Sequence, residues 1–374
     1  MIKKKFIFIC GNADSLVRFR SELVQELQKL DFQVYVMTGE ASPQFKEKLE
    51  KMNVVLIPIS FNRKSLNPFS SLLSMIDIIR KICRISPSYV FSFTHKSVVI
   101  GSLCAYIAKV PNIFSMITGT GHIFDDFTFI DKVKRSFGLF GFRATLWMNS
   151  KVFFQNIDNQ NLFNEHNLVK KNSCILINGS GVNLDLFPVT KLPIDPIFLC
   201  MSRLIKSKGL IEYAQAAKII KLKNPKARFL LAGFADDHSD SISEEDIKTN
   251  WYKEYGIEFL GASHDPQHTI AKSSVYILLS YNEGTPRSVL EAMAMGRPIV
   301  TTNVSGCRET VIDGYNGFLV DVQNPIAAAD GFKKMLKAET RETFGKNSRK
   351  YCEEKFDSRA VNKTILSAMC LIPS

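Results

Sequence analysis

The sequence predicts an α/β protein with two Rossmann-like domains, each built on a doubly wound parallel sheet. A chain of 374 residues is long enough for two domains of common size. Both halves open with an apolar run, a short polar loop and a helical pattern, at residues 6–30 and again from residue 197. Units of this kind assemble into parallel sheets. We therefore expect ligands at the carboxyl edges of the strands, where open α/β sheets bind them.

Short apolar runs bounded by polar or turn residues predict the individual strands. They lie at residues 6–10, 34–37, 54–59, 89–93, 112–117, 151–155 and 174–177, then at 197–201, 229–232, 258–260, 275–279 and 299–302. Helical patterns lie at 16–30, 98–108 and 156–167. The apolar run at the start has only five residues, which is too short for a signal peptide. No stretch approaches the roughly 18 apolar residues of a transmembrane helix.

Composition and charge narrow the class of protein. Apolar residues make up 45% and charged residues 22%, which is ordinary for a soluble globular protein. Eight cysteines without a C-x-x-C motif predict reduced, mostly buried thiols and a cytoplasmic protein. Residues 1–190 hold 23 Lys and Arg against 14 Asp and Glu, which is most of the net charge of +12. This part should meet an anionic partner, which is either membrane headgroups or a diphosphate-bearing acceptor. Nucleic acid is the weaker choice, because no nucleic-acid-binding motif occurs, and we expect no nucleic-acid partner.

Residues directly after the strands are candidate ligand contacts. Gly11 follows the first strand, and Gly119 and Gly121 follow the fifth, where glycine permits close approach of the backbone to a ligand. His95 lies where the fourth strand meets a helix. A lone histidine in such a place is more often structural than functional.

Charged residues follow the first strand of the second half. Arg203 and Lys208 lie five residues apart, and a forked guanidinium beside a flexible ammonium suits a diphosphate. A later hydrophilic loop has the composition of a metal site, but such loops are usually solvated and we predict no metal site. The residues of that loop are Asp236, Asp237, His238 and Asp240.

The clearest helix start in the chain follows the strand at residues 275–279. Thr285 is a good N-cap, Pro286 suits the first helical position, and Gly296 ends the helix. The amides of Thr285, Arg287 and Ser288 are then left at a helix N-terminus. Such a terminus is an anion-binding site.

Two glutamates flank this helix start. Glu283 stands just before it and Glu291 lies about one and a half turns inside it, with seven residues between them. A carboxylate beside a phosphate is repelled unless it binds another part of the ligand, such as sugar hydroxyls. Hydroxyls next to phosphates describe a sugar nucleotide. The alternative is that both are ordinary helix-start carboxylates, which the helix dipole favours.

The run EGTPRSVLEAMAMGRPIV, which begins at Glu283, resembles the E-x7-E signature of the large retaining glycosyltransferase family with the GT-B fold. The following SGCRETVIDGYNGFLV is similar to the same family. Within it, the chain most resembles bacterial enzymes that add N-acetylhexosamine residues to undecaprenyl-diphosphate-linked sugars. The resemblance implies that Glu291 holds the donor ribose and that Glu283 meets the donor sugar. It also implies that Arg203 and Lys208 stabilise the leaving diphosphate.

The resemblance implies further site residues. A histidine near the position of His95 contacts the donor sugar in the wider family. The R-x-S-x-N-P stretch at residues 63–68 resembles an acceptor-diphosphate segment, which makes Arg63, Lys64 and Asn67 acceptor-binding candidates, although plain turn chemistry also explains it. The remaining donor-binding candidates are Gly284, Thr285, Pro286, Arg287, Ser288, Gly11, Gly119 and Gly121.

The domain organisation implied by the resemblance is a pair of Rossmann-like domains that face each other across a cleft. Residues 1–188 form an acceptor-binding domain, residues 189–355 a nucleotide-sugar-binding domain, and residues 356–374 a segment that packs back on the first domain. Within the first domain, a basic and aromatic stretch either lies on an anionic bilayer or is an ordinary surface helix. It contains Lys132, Lys134, Arg135 and Phe137.

The expected activity is transfer of a sugar, such as GalNAc or GlcNAc, from a UDP-sugar to an undecaprenyl-diphosphate-linked saccharide with retention. The product would enter an O-antigen, a capsule or a glycoprotein glycan, and the enzyme would lie peripherally on the inner face of the cytoplasmic membrane. Because no D-x-D motif occurs, we expect neither a metal nor another cofactor. The alternatives are a sugar-nucleotide epimerase of the same fold and a non-catalytic basic module that binds membranes or nucleic acid.

Overall fold

Two parallel β-sheets organise the chain, one in each of two units. The structure is a computed structural model that describes residues 3–39, 41–59, 68–119, 139–236 and 239–373, with backbone alone for residues 68–71. The first unit comprises Met1–Ser180 and Arg359–Ser374, and the second comprises Gly181–Ser358. Each sheet has the doubly wound order that the sequence predicts.

The sheet of the first unit has seven strands in the order β3-β2-β1-β4-β5-β6-β7, and every neighbouring pair is parallel. The strand order reverses between β1 and β4, which creates a topological switch point. Its strands are β1 (Lys4–Ile9), β2 (Phe32–Thr38), β3 (Val55–Pro58), β4 (Tyr89–Phe93), β5 (Asn112–Ile117), β6 (Lys151–Phe154) and β7 (Cys174–Leu176). Its helices are α1 (Ala13–Lys29), α2 (Pro43–Lys51), α3 (Pro68–Ile85), α4 (His95–Ile107), α5 (residues 139–146), α6 (Ile157–Glu165) and the C-terminal α14 (Ser358–Ala368).

The sheet of the second unit has six parallel strands in the order β10-β9-β8-β11-β12-β13. Its switch point lies between β8 and β11. The strands are β8 (Ile197–Met201), β9 (Arg228–Ala232), β10 (Ile257–Phe259), β11 (Val275–Leu278), β12 (Ile299–Thr302) and β13 (Gly317–Val320). The helices are α7 (Leu210–Lys223), α8 (Glu244–Asp246), α9 (Tyr252–Tyr255), α10 (Pro266–Ala271), α11 (Arg287–Ala294), α12 (Pro325–Lys334) and α13 (Ala338–Lys355).

Strand β13 escaped the sequence analysis because it begins with a glycine rather than a β-branched residue. A Cβ on Gly317 would lie 2.0 Å from the carbonyl oxygen of Ile299 on β12, so only glycine allows the two strands to approach. The helix that the sequence predicts at residues 16–30 also begins earlier, at Ala13, because Asn12 caps it.

The C-terminal helix contributes to the core of the first unit. Val361, Ile365 and Leu366 of α14 are buried in a cluster that contains Phe6 and Phe8 of β1. The division between the units falls at residues 180 and 181, whereas the sequence analysis placed it at 188. The difference arises because the segment after residue 180 pairs with the last residues of the second unit. The amide of Val182 donates to the carbonyl oxygen of Phe356, and the amide of Ser358 donates to the carbonyl oxygen of Val182.

Two further expectations concern the membrane and the thiols. Within the described ranges, no helix combines the length and apolar character needed to cross a bilayer. All eight cysteines are free thiols, and five of them are buried. Burial raises the pKa of Cys104, Cys200 and Cys307 to about 12, so these three thiols are unreactive packing residues.

Candidate active site

The carboxyl edge of the second sheet brings together the charged residues that the sequence singled out there. Strands β8 and β11 are neighbours at the switch point, so the loops that follow them lie side by side. The loop after β8 carries Arg203 and Lys208, and the loop after β11 carries Glu283. Glu283 is 75 or more positions away from the other two in sequence, and only the parallel topology places all three at one edge.

Lys208 and Glu283 form an ion pair across the two loops. The ammonium of Lys208 contacts Oε1 of Glu283, and both side chains are only 16% exposed. The hydroxyl of Ser280 donates to the same carboxylate oxygen at 2.8 Å. The sequence analysis assigned both residues to the donor but did not anticipate that they pair with each other. A phosphate that binds Lys208 must therefore compete with the carboxylate of Glu283.

Two glycines with positive φ let the loops approach. Gly209 follows Lys208 at φ +69°, and a Cβ there would lie 2.1 Å from the carbonyl oxygen of Leu279. Gly306 has φ +77°, and a Cβ there would lie 2.3 Å from the carbonyl oxygen of Gly284. Any larger residue at these positions is both strained and in collision with backbone. Gly306 was missed by the sequence analysis, since its partner is distant along the chain.

Helix α11 starts one residue later than the sequence predicts. Its N-cap is Pro286, with φ −72° and ψ 109°, and the first helical residue is Arg287. The hydroxyl of Thr285 donates to the carbonyl oxygen of Gly284 at 3.0 Å. The predicted roles of Thr285 as N-cap and Pro286 as first helical residue are therefore wrong. Proline has no side-chain acceptor, so Pro286 makes no side-chain capping bond to the amides of Arg287 and Ser288 at the helix N-terminus.

Glu291 lies on the second turn of α11 and is oriented by Arg287. Nε of Arg287 lies 3.1 Å from Oε1 of Glu291, and the side chains are 16% and 14% exposed. Nη1 of the same arginine donates to the carbonyl oxygen of Gly181 at 2.5 Å. The side chain of Arg287 thus fixes the predicted ribose-binding carboxylate. The spacing of four residues on a helix is the sequence signal that could have revealed this pair.

The acidic loop after β9 contacts the loop after β8 through Asp236 and Asp240. Nη1 of Arg203 lies 2.5 Å from Oδ2 of Asp236. Oδ2 of Asp240 accepts from the amide of Ser207 at 3.0 Å. Asp237 and His238 lie outside the described residues. In the described part of the chain, no three His, Cys, Asp or Glu side chains form a group that could hold a metal ion.

At the carboxyl edge of the first sheet, the structure brings together two residues that were predicted separately. Nε2 of His95, the first residue of α4, lies 2.6 Å from the carbonyl oxygen of Gly119, which follows β5. Burial lowers the pKa of His95, and the hydrogen bond to Gly119 offsets this in part. The ring is therefore neutral at pH 7, with Nε2–H as the donor to the carbonyl.

The remaining predicted residues of the first unit are placed only in part. Gly11 lies directly before Asn12, whose side chain accepts from the amide of Asp14 at 2.8 Å and caps α1. Burial raises the pKa of Asp14. Gly121 and the acceptor candidates lie outside the described residues, and so do the basic residues expected near a membrane. These are Arg63, Lys64, Asn67, Lys132, Lys134 and Arg135.

Comparison with known proteins identifies the enzyme class and the fold. The family profile "Glycosyl transferase 4-like" matches residues 7–143, and "Glycosyl transferases group 1" matches residues 186–351. The fold aligns with Anabaena HepE in complex with UDP and glucose at a TM-score of 0.77 and 16% identity, over 99% of this chain and 100% of the other. The chain is a glycosyltransferase with the GT-B fold. The fold and the enzyme class that the sequence predicts are both confirmed.

Three curated relatives of this glycosyltransferase are themselves named as glycosyltransferases, two of them for undecaprenyl-diphosphate-linked sugars and one for capsular polysaccharide. It is 27% identical over 346 residues to N,N'-diacetylbacillosaminyl-diphospho-undecaprenol alpha-1,3-N-acetylgalactosaminyltransferase of Campylobacter jejuni, which covers 89% of each chain. It is 24% identical over 384 residues to the capsular polysaccharide biosynthesis glycosyltransferase CapM of Staphylococcus aureus, over 96% of this chain and 95% of the other. A third relative, with 22% identity over 80% of each chain, is the UDP-Gal:alpha-D-GlcNAc-diphosphoundecaprenol alpha-1,3-galactosyltransferase of Escherichia coli.

Proposed function

We propose that this glycosyltransferase moves an N-acetylhexosamine from a UDP-sugar to a saccharide on undecaprenyl diphosphate, with retention and without a metal. The observation that carries the proposal is the convergence of Lys208, Glu283 and the start of α11 at one sheet edge. An ammonium, a helix N-terminus and a hydroxyl-accepting carboxylate together suit a nucleotide sugar. The names of the Campylobacter and Escherichia coli relatives support the class of acceptor.

The donor diphosphate would lie against the amides of Arg287 and Ser288, with Lys208 and Arg203 beside it. In this proposal, the bond between the anomeric carbon and the β-phosphate oxygen breaks while the acceptor hydroxyl attacks on the same face. The hydroxyl proton passes to the departing phosphate oxygen, so no protein nucleophile is needed. Each preorganised positive group that meets the growing charge lowers the barrier by about 2–4 kcal/mol.

His95 and Glu291 would bind the sugars of the donor. The neutral ring of His95 would act as a hydrogen-bond partner for the transferred sugar and not as a cation, because burial disfavours its protonated form. The carboxylate of Glu291, held by Arg287, would accept hydrogen bonds from the ribose hydroxyls. The acceptor diphosphate is assigned to Arg63, Lys64 and Asn67 on the resemblance alone.

Transfer assays with labelled UDP-GalNAc and UDP-GlcNAc test this proposal. We expect label to move into the lipid phase only when an undecaprenyl-diphosphate-linked saccharide is present, with the α-configuration of the donor kept in the product. Consumption or isomerisation of the donor without any acceptor would instead identify the epimerase alternative.

We further propose that the enzyme lies peripherally on an anionic membrane through α3. Leu72, Leu73 and Ile76 are 52%, 60% and 38% exposed, and Arg80 and Arg84 are exposed on the following turns of the helix. An apolar patch followed by cations on one helix suits the boundary between headgroups and acyl chains. The excess of basic residues in the first half of the chain supports the same partner.

The double substitution L72S/L73S should weaken binding to vesicles that contain phosphatidylglycerol by about tenfold or more, since it removes most of the apolar area offered to the bilayer. Co-sedimentation measures this directly. Leu222 of α7 is 80% exposed and provides the matched control, because L222S should leave vesicle binding unchanged. Equal binding by the double variant and the wild type would contradict the role of α3.

A further inference from the structure

Beyond the Lys208–Glu283 ion pair, a second set of contacts joins the two loops of the candidate site. The amide of Tyr281 donates to the carbonyl oxygen of Ser207 at 2.9 Å. The phenol of Tyr281 donates to Oε1 of Glu212 at 2.7 Å. Tyr281 lies two residues before Glu283, and Glu212 lies four residues after Lys208 in the first turn of α7. Two side-chain contacts and one backbone bond therefore join the loop after β11 to the loop after β8 and the start of α7.

The chemistry of this contact distinguishes it from ordinary packing. Glu212 is 9% exposed, and its second carboxylate oxygen, Oε2, makes no hydrogen bond within the described structure. Burial, together with the hydrogen bond to Glu212, raises the pKa of Tyr281 to about 12, so the phenol stays a proton donor at neutral pH. A buried carboxylate with only one of its oxygens hydrogen-bonded lowers the free energy of unfolding, and an apolar residue of similar volume would stabilise the fold better. Its presence is therefore poorly explained by stability alone.

The two cross-loop connections respond differently to a bound diphosphate. A bound phosphate would replace Glu283, at least in part, as the partner of Lys208, because the phosphate and the carboxylate compete for the same ammonium. The bonds of Tyr281 to Ser207 and Glu212 use no group assigned to the donor. They can hold the loops at a constant separation while Lys208 changes partner.

We propose that Tyr281 and Glu212 are positioning residues that hold the side chains of Lys208 and Glu283 where the leaving diphosphate binds. This inference rests on the proposed donor site. Because electrostatic stabilisation of a developing charge depends on preorganised geometry, a small displacement of Lys208 weakens it strongly.

Four variants of the full chain test the inference, with UDP affinity by calorimetry, kcat and donor KM by transfer assay, and Tm as readouts. Y281F and E212A should each weaken UDP binding about threefold to tenfold and lower kcat about tenfold. The double variant should be no worse than Y281F, because the bond between the phenol and Glu212 is already lost in Y281F, and the bond of the phenol to Gln323 is lost in both. E212Q should stay within about twofold of wild type, since its amide oxygen still accepts from the phenol. Y252F, at a tyrosine that is 63% exposed, is the control and should match wild type.

Four outcomes would overturn the inference. A purely structural role predicts a lower Tm with unchanged UDP affinity and kcat for Y281F. An E212Q variant as impaired as E212A would show that charge, and not the hydrogen bond, is what matters. A wild-type protein that binds no UDP would remove the proposed donor site and this inference with it, whereas UDP binding by wild type and Y281F alike removes this inference alone.

Discussion

Replacing Lys208 with alanine is expected to lower kcat for sugar transfer by about 100- to 1,000-fold, which is the effect of removing one preorganised group that stabilises a developing charge. The ammonium lies at the carboxyl edge between β8 and β11, where the leaving diphosphate is proposed to bind. The donor KM should change less than kcat, because the charge on the leaving oxygen grows mainly in the transition state.

Lys206 offers a matched control for this experiment. It belongs to the same loop, two residues earlier, and its side chain is exposed. K206A removes the same charge from the same loop and should retain nearly full activity. If K208A and K206A have equal kcat values, Lys208 does not act on the leaving group, and its contact with Glu283 is only an ion pair that holds two loops together.

Replacing Glu291 with alanine should weaken UDP binding by about 10- to 100-fold while kcat at saturating donor stays near the wild-type value. Hydrogen bonds between hydroxyls and a carboxylate contribute about 1.5–3 kcal/mol, and each 1.4 kcal/mol is a tenfold change in affinity. Because the ribose does not change during transfer, its contacts stabilise the ground state and the transition state alike. Calorimetric titration with UDP measures the effect.

The control for this second substitution is E339A, since Glu339 is an exposed residue of α13, another helix of the same unit. It should bind UDP like the wild type. R287K tests the orienting arginine. The guanidinium of Arg287 contacts both Glu291 and the carbonyl oxygen of Gly181, and the single ammonium of a lysine cannot replace both contacts. We expect it to weaken UDP binding less than E291A does. Unchanged UDP affinity in E291A would contradict the ribose role.

Local sequence patterns were sufficient for every strand except β13 and for the edge that carries the site. The apolar runs of β8 and β11 and the loops behind them are local features, and the rule that ligands lie at the carboxyl edge then places Arg203, Lys208 and Glu283 together. The start of α11 was misplaced by one residue because both Thr285 and Pro286 favour helix starts, and only the backbone angles of Pro286 show which residue caps.

Contacts between distant segments explain what the sequence could not reveal. The pairing of Tyr281 with Glu212 spans 69 positions, and that of Arg203 with Asp236 spans 33. Neither pair has a periodic signature. The acidic loop at Asp236 was interpreted as solvated on its composition, yet the structure uses it to bind the loop after β8. Position 306 requires a glycine because the backbone of Gly284, more than 20 positions away in the chain, lies against it.

The central claim, a metal-independent UDP-sugar site at the edge formed by β8, β11 and α11, is tested most directly by thermal stabilisation of the purified protein. UDP, GDP, ADP and dTDP would each be added with and without EDTA. We expect a rise in Tm with UDP that exceeds the rise with the other nucleotides and that EDTA does not alter. A protein that none of the four nucleotides stabilises, or that UDP stabilises only when a divalent metal is present, would contradict it.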